Sequence, residues 1–194
     1  MNVGAATKYV NSYKIVLIGD CNVGKTAIVE RLSSNTFSEQ YKPTVGTGHT
    51  YWSTSINGTV VDIQLWDTAG EERFATLAPI YYKDSSAAII VYSQDEPQSA
   101  ANVIKWYQRF NDAVPDNPPV CVLCNKIDLG DTQDFDLSEI SVKNQCLFRK
   151  TSAKSGSGIV DAFTALVAKI LEREKSIQHG DRNLNIANKK SGCC

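Results

Sequence analysis

Short apolar runs recur along this chain with helix-like segments between them: YKIVLIG, TYWSTSI, TVVDIQLW, AAIIVYS, PVCVLCN and CLFRKTS. Such alternation predicts an α/β fold built on a mostly parallel sheet of six strands. The second and third runs are joined by Asn57-Gly58, the two-residue turn that favours a hairpin, so one strand is expected to be antiparallel. About five helices are predicted, near 25–34, 73–80, 97–113, 136–145 and 157–174. In the last, Ile159, Phe163, Leu166 and Ile170 share one helical face, which reads as core packing. After about residue 175 the pattern dissolves into KSIQHGDRNLNIANKKSGCC, polar and without periodicity, which predicts a flexible tail in which His179 is solvated. The expected organisation is a short N-terminal extension over 1–11, one domain over 12–174 and the tail over 175–194.

Composition narrows the function classes. A chain of 194 residues with 42% apolar content is long enough for one sizeable core. Twenty Lys and Arg against 21 Asp and Glu leave a net charge of -1, so no global field draws the protein to nucleic acid, and any anion site must be local. The opening MNVGAATKYVNSY lacks the apolar core of a secretory signal, and runs such as AAIIVY are too short to span a bilayer, which predicts a cytosolic protein. The six cysteines show no disulfide framework; Cys121 and Cys124 form a CxxC, but inside an apolar run that reads as a buried strand, with no second pair at zinc spacing.

The first predicted strand ends in GDCNVGKT, which matches G-x-x-x-x-G-K-[ST] from Gly19 to Thr26 with a strand before it and a helix after. Successive backbone N–H groups in such a loop wrap a β-phosphate, and the helix N-terminus adds its positive end. Gly24 permits close backbone approach, Lys25 bridges β- and γ-phosphates, and the Thr26 hydroxyl is a candidate Mg²⁺ ligand. The acidic stretch LWDTAGEE then has a purpose, because Asp67 ends a strand beside this loop, where a carboxylate holds the ion's water shell.

Phosphate binding alone leaves an ATPase or a nucleotide kinase open. NKID at 125–128 argues for guanine: Asp128 can accept from guanine N1–H and N2–H₂, whereas adenine presents an acceptor at N1. A site built on such bonds rejects the analogue by roughly 10⁴ or more. TSAK at 151–154 follows the last strand, where the N–H of Ala153 could meet guanine O6.

GDCNVGKT, WDTAGEERF, APIYYKDSSAAIIVY, NKIDL and TSAK, in this order, resemble the Ras superfamily of small GTPases and most closely the Rab branch, over residues 12–174 and the last two residues. LAPIYY is most similar to the endosomal Rabs. The resemblance implies a P-loop G domain that is a GTP/GDP switch with slow hydrolysis and recruits effectors in vesicle trafficking. Its nucleotide site would comprise Gly19, Asp20, Cys21, Asn22, Val23, Gly24, Lys25, Thr26 and Ala27 of the phosphate loop. To these it adds Phe37 packed on guanine, Tyr41, Thr44 and Gly70 from the two switch segments, then Asn125, Lys126 and Asp128, and Ser152, Ala153 and Lys154. Thr26, Thr44 and Asp67 would hold Mg²⁺, while Lys25, Gly70 and Glu71 would act in hydrolysis. A terminal Cys193-Cys194 is similar to the dual geranylgeranylation signal of Rabs, since a C-a-a-X signal would need Cys where Ser191 stands. Implied partners are an exchange factor, a GTPase-activating protein, a GDP dissociation inhibitor, an escort protein with prenyltransferase, effectors and the cytoplasmic face of an intracellular membrane; the chain itself would be a monomer.

Several positions depart from the pattern. Glu71 stands where the family has a water-positioning Gln; a carboxylate can only accept hydrogen bonds, yet it is the stronger base, so the direction of its effect on rate stays open. The alternative function is a hydrolysis-impaired tether that persists in the GTP form. Cys21 and Asn22 occupy loop positions often filled by Gly in the wider superfamily. His49 stands where Rabs place a Phe beside the positions of Trp66 and Tyr81, and Ser93 replaces a common Asp.

Overall fold

A computed structural model of the chain describes residues 11–40, 42–44, 46–70, 78–130 and 146–190, with side chains described from Ser12 to Ile177. The elements are β1 (Asn11–Ile18), α1 (Lys25–Ser34), β2 (Thr47–Ile56), β3 (Thr59–Thr68), α2 (Ala78–Tyr82), β4 (Ala87–Ser93), α3 (Pro97–Ala101), α4 (Val103–Ala113), β5 (Val120–Asn125), β6 (Leu147–Lys150) and α5 (Ile159–Lys190). The six strands form one sheet in the order β2-β3-β1-β4-β5-β6. Every pairing is parallel except β2 with β3. The antiparallel pair follows from its turn: Asn57 and Gly58 both have positive φ, 50° and 75°, the conformation a two-residue hairpin of matching twist requires.

Strand residues alternate between two cores, as a period of two demands. Ile15, Leu17, Ile89, Val91, Cys121 and Leu123 pack on one face with α1 and α5, whereas Val16, Ile18, Ile90, Tyr92, Val122 and Cys124 pack on the other with α4. The expected stripe of Ile159, Phe163, Leu166 and Ile170 is fully buried in the first core, where Phe163 meets Trp52 edge-on at 6.0 Å. The CxxC is likewise core, and its alternation settles its chemistry. Cys121 and Cys124 lie on opposite faces of the sheet, too divergent to share a metal, and burial pushes the Cys121 thiol up to about 12. Among the described residues no group of three His, Cys, Asp or Glu side chains is poised for a metal.

Two helix boundaries are corrected. The single helix expected over 97–113 is two helices meeting at Asn102, whose side chain is drawn to Asp20 of the loop after β1. The helix expected to end at 174, with a flexible tail from 175, continues as α5 to Lys190. The apolar stripe ends, but no proline interrupts 159–190, and straight-chain residues such as Glu172, Arg173 and Lys175 propagate a helix that the core has already nucleated. Tyr13 Oη donates to Glu174 Oε2 at 2.5 Å and ties the helix to β1 just before this continuation. The expected helix at 136–145 lies outside the described residues, as does the start of the one at 73–80.

The C-terminal ends of the parallel strands converge on one edge. β1 sits centrally, with β3 on one side and β4 on the other, so the chain order reverses there and opens a crevice above the β1 end, where open α/β sheets place their ligands.

Candidate functional site

The crevice is a cavity of about 430 Å³. Its floor is the loop from Gly19 to Gly24, whose left-handed residues are Gly19 (φ 139°), Asn22 (φ 58°) and Gly24 (φ 94°). At Gly19 a Cβ would stand 2.1 Å from the Val91 carbonyl oxygen of β4, and at Gly24 it would stand 2.4 Å from Asn125 Nδ2. Both glycines are therefore required by close packing as well as by φ. Cys21, Asn22, Gly24, Lys25, Thr26 and Ala27 line the cavity. Val23 is buried behind it. The side chain of Asp20 is directed elsewhere, to Asn102 and Trp106.

Lys25, 6% exposed, opens α1 and donates from Nζ to the carbonyl oxygens of Gly19 at 2.9 Å and Asp20 at 2.7 Å. Burial lowers its ammonium to about 8. An ammonium has three donors, and these two go to neutral carbonyls, so the lysine suits an anion in the cavity as its charged partner.

Asp67, at the end of β3, is 4% exposed. Its Oδ2 accepts from Thr26 Oγ1 at 2.6 Å, and Thr26 in turn lies 2.7 Å from Thr44 Oγ1. Its Oδ1 is buried with no hydrogen-bond partner, and burial raises the carboxyl above its ordinary value. Two hydroxyls and a carboxylate with an orphaned oxygen are the hard oxygen donors that a Mg²⁺ ion takes together with water. Beyond β3, Gly70 presses on the phosphate loop: a Cβ there would lie 2.5 Å from the Asp20 carbonyl and the Cys21 nitrogen.

The far end of the cavity is built from the ends of β5 and β6. Asn125 is buried; its Nδ2 donates to the Val23 carbonyl at 2.9 Å and its Oδ1 accepts from the Ala153 N–H at 3.2 Å. The Ala153 N–H, expected to face a base oxygen, is thus given to Asn125 in this structure. Asp128 accepts at Oδ1 from Ser152 Oγ at 2.5 Å, which orients the carboxylate toward the cavity that Asp128, Ala153, Lys154 and the half-buried Phe37 line. Lys126, left-handed at φ 65°, pairs with Asp95 at 3.2 Å, and Ser93 Oγ donates to the other oxygen of Asp95. Burial pushes the Asp95 carboxyl up, but the Ser93 hydroxyl and the Lys126 ammonium outweigh it and hold it below its ordinary value. Ser93 is thus the donor that orients the carboxylate holding Lys126.

Glu71, Tyr41, Cys193 and Cys194 lie outside the described residues. Of the aromatic trio, His49 meets Trp66 edge-on at 5.2 Å and Tyr51 at 4.7 Å, with Lys14 Nζ 4.2 Å from the Trp66 ring centre. Tyr81 packs against the same core that Trp66 covers.

Sequence reasoning missed Arg31. From α1 its Nε donates to the Ala153 carbonyl at 2.9 Å and its Nη2 to that of Lys154 at 2.8 Å, while Nη1 reaches the Asn35 carbonyl at 3.0 Å. A lone arginine in the last turn of a helix gives no sign of a partner more than a hundred residues away. Also missed was Glu39, which pairs across the cavity mouth with Lys154 at 3.1 Å.

The Ras family pattern matches residues 14–172. The chain is 32% identical over 197 residues to Ras-related protein Rab7 of Cenchrus ciliaris, covering 93% of this chain and 96% of that one. The chain belongs to the Rab family of the Ras superfamily of small GTPases. Ras-related protein Rab-5A of Dictyostelium discoideum is 32% identical over 192 residues, with 94% and 95% covered, and Ras-related protein Rab-21 of Bos taurus 34% over 172 residues, with 87% and 78% covered. Ras-superfamily GTPases bind GTP or GDP with Mg²⁺, and Rab proteins are switches of vesicle trafficking on the cytoplasmic faces of intracellular membranes. Among the described residues of this Rab-family chain, no helix is long and apolar enough to cross a membrane.

Arg31→Ala removes donors to three carbonyls and is expected to cost about 1–3 kcal/mol of stability. Thermal melting measures that loss, and amide hydrogen exchange at 151–154 reports the loosened loop. An unchanged melting temperature with unchanged exchange would show that Arg31 does not hold it.

Proposed function

We propose that this chain binds guanine nucleotide with Mg²⁺ in the cavity and alternates between GTP and GDP forms that differ in their switch surfaces. The observation that carries the reading is the joining of two chemistries in one cavity: a glycine loop with a buried lysine at one end and a serine-oriented carboxylate, Asp128, at the other. Lys25 offsets phosphate charge, and the loop N–H groups and the α1 N-terminus hold the β-phosphate. Asp128 accepts from guanine N1–H and N2–H₂ while Ser152 fixes its orientation; Phe37 covers the base and Lys126, tied to Asp95, flanks it. Thr26, Thr44 and Asp67, with its orphaned oxygen, would hold the ion, which would supply positive charge against that of the phosphates. Thr44 and Gly70 respond to the γ-phosphate, and its loss on hydrolysis releases both segments.

The G domain spans 12–174 in this reading, and Cys193 and Cys194 each carry a geranylgeranyl group. Burying hydrocarbon is worth about 0.8 kcal/mol per CH₂, and two chains anchor stably where a single myristoyl chain binds only marginally. The same chains call for a GDP dissociation inhibitor in the cytosol and an escort protein with the prenyltransferase. An exchange factor, an activating protein and effectors complete the cycle. The LAPIYY run, together with relatives named Rab-5A, Rab7 and Rab-21, supports an endosomal membrane. Glu71 in place of the family Gln supports a second reading, a tether that hydrolyses too slowly to cycle unaided.

Asp128→Asn is expected to shift preference from guanosine to xanthosine triphosphate, because the new amide donates where the 2-oxo group of xanthine accepts. Competition binding with the two triphosphates tests this, and unchanged GTP preference would place the base elsewhere. Single-turnover hydrolysis by wild type, Glu71→Gln and Glu71→Ala is expected to give different rates at similar GTP affinity, since residue 71 meets the attacking water and not the β-phosphate. Three equal rates would make residue 71 a bystander. Cys193→Ser with Cys194→Ser is expected to keep nucleotide binding and move the protein into the soluble fraction of eukaryotic cells. Mass spectrometry of the C-terminal peptide checks the lipids directly, and two unmodified thiols on membrane-bound protein would sink the lipid anchor.

A further inference from the structure

Asp20 faces two ways. Both oxygens of its side chain are committed outward: Oδ2 accepts from Asn102 Nδ2 at 2.7 Å and Oδ1 from the indole Nε1 of Trp106 at 2.7 Å. These are lengths of charge-assisted bonds, and Trp106 is only 7% exposed, so the pair is well defined. Its main chain faces inward. The carbonyl of the same residue accepts from Lys25 Nζ at 2.7 Å, and it is against this carbonyl that Gly70 packs too closely to carry a Cβ. One residue thus touches, through its backbone, the groups aimed at the phosphates and, through its side chain, the start of α4.

A carboxylate in a phosphate-binding loop invites repulsion, and turning it onto two neutral donors is what makes it tolerable. The loop also needs holding, because Asn22, left-handed at φ 58° without being a glycine, persists only where the surroundings over-determine it. Asn125 fixes the far end of the loop through the Val23 carbonyl, and Asp20 is the counterpart at the near end. A plainer assignment, that the carboxylate only anchors α4, leaves out the contacts of the same residue's main chain with Lys25 and Gly70. That helix already buries Val103, Trp106 and Phe110, and Asn102 contributes no side-chain cap to it.

We propose that Asp20, held by Asn102 and Trp106, is a positioning residue that sets the loop turn presenting Lys25 and Gly70 to the phosphates, and so links the α4 helix to the grip on nucleotide. The inference rests on the guanine-nucleotide reading above. The sign of one effect separates position from charge. If Asp20 merely repelled phosphate, its removal would tighten binding; if it positions the loop, removal loosens it.

The test uses the full chain loaded with a fluorescent GDP analogue and chased with excess GDP. Asp20→Ala is expected to release nucleotide about tenfold faster, and Asn102→Ala, which costs the helix no cap bond, about threefold faster. In wild type the indole N–H resonance of Trp106, assigned by its loss in Trp106→Phe, is expected to shift between the GDP form and a form loaded with a non-hydrolysable GTP analogue. Release from Asn102→Ala and Asp20→Ala no faster than from wild type overturns the positioning role, even if the melting temperature falls. An indole resonance identical in the two loaded forms overturns the link to α4. Wild type that retains no guanine nucleotide overturns the functional reading itself, and this inference with it.

Discussion

The buried side-chain amide of Asn125 is the joint on which the cavity depends. Inside a protein every such group must find its partners internally, and a fully satisfied one specifies a single arrangement. Asn125 gives a hydrogen bond to the loop after β1 and takes one from the loop after β6, while its own backbone ends β5. Three strand ends are thereby locked at fixed spacing. The close approach of Gly24 to its amide nitrogen shows how little slack the joint has, since any side chain at 24 would displace it.

Charge is managed around that joint by geometry more than by pairing. Lys25 is buried and bonded to neutral carbonyls, Asp67 is buried with one oxygen orphaned, and Asp20 is turned outward onto neutral donors. Burial shifts Lys25 and Asp67 toward their neutral forms, so each is unsatisfied in a way that an anion and a cation in the cavity would relieve. An arrangement so poised for ligands contributes little stability by itself. The two cores supply it, one on each face of the sheet, and Arg31 carries the rigidity of α1 over to the loop after β6.

The departures from the family pattern divide by mechanism. Ser93 and Asp95 read together, because the serine orients a carboxylate two residues on that pairs with Lys126. His49 meets Trp66 and Tyr51 edge-on while Lys14 Nζ lies over the Trp66 ring, so an imidazole and an ammonium stand among the aromatic rings of β2 and β3.

What the sequence by itself determined was local or periodic. Alternation on the strands, the Asn57-Gly58 hairpin, the buried stripe of α5 and the Gly19–Thr26 loop are each legible because a few neighbouring residues dictate the backbone. For the same reason the end of α5 was misplaced: loss of an apolar stripe removes the core-facing signal without removing the helix, which runs on to Lys190. Only the tertiary structure decided the long-range partners. Arg31 with Ala153, Trp106 with Asp20, and Ser152 with Asp128 join residues far apart in the chain, and no composition or spacing encodes which distant donor will meet which carbonyl or carboxylate. Those bonds exist because the sheet order gathers the strand ends on one edge, where buried polar groups must pair with whatever the fold has brought beside them.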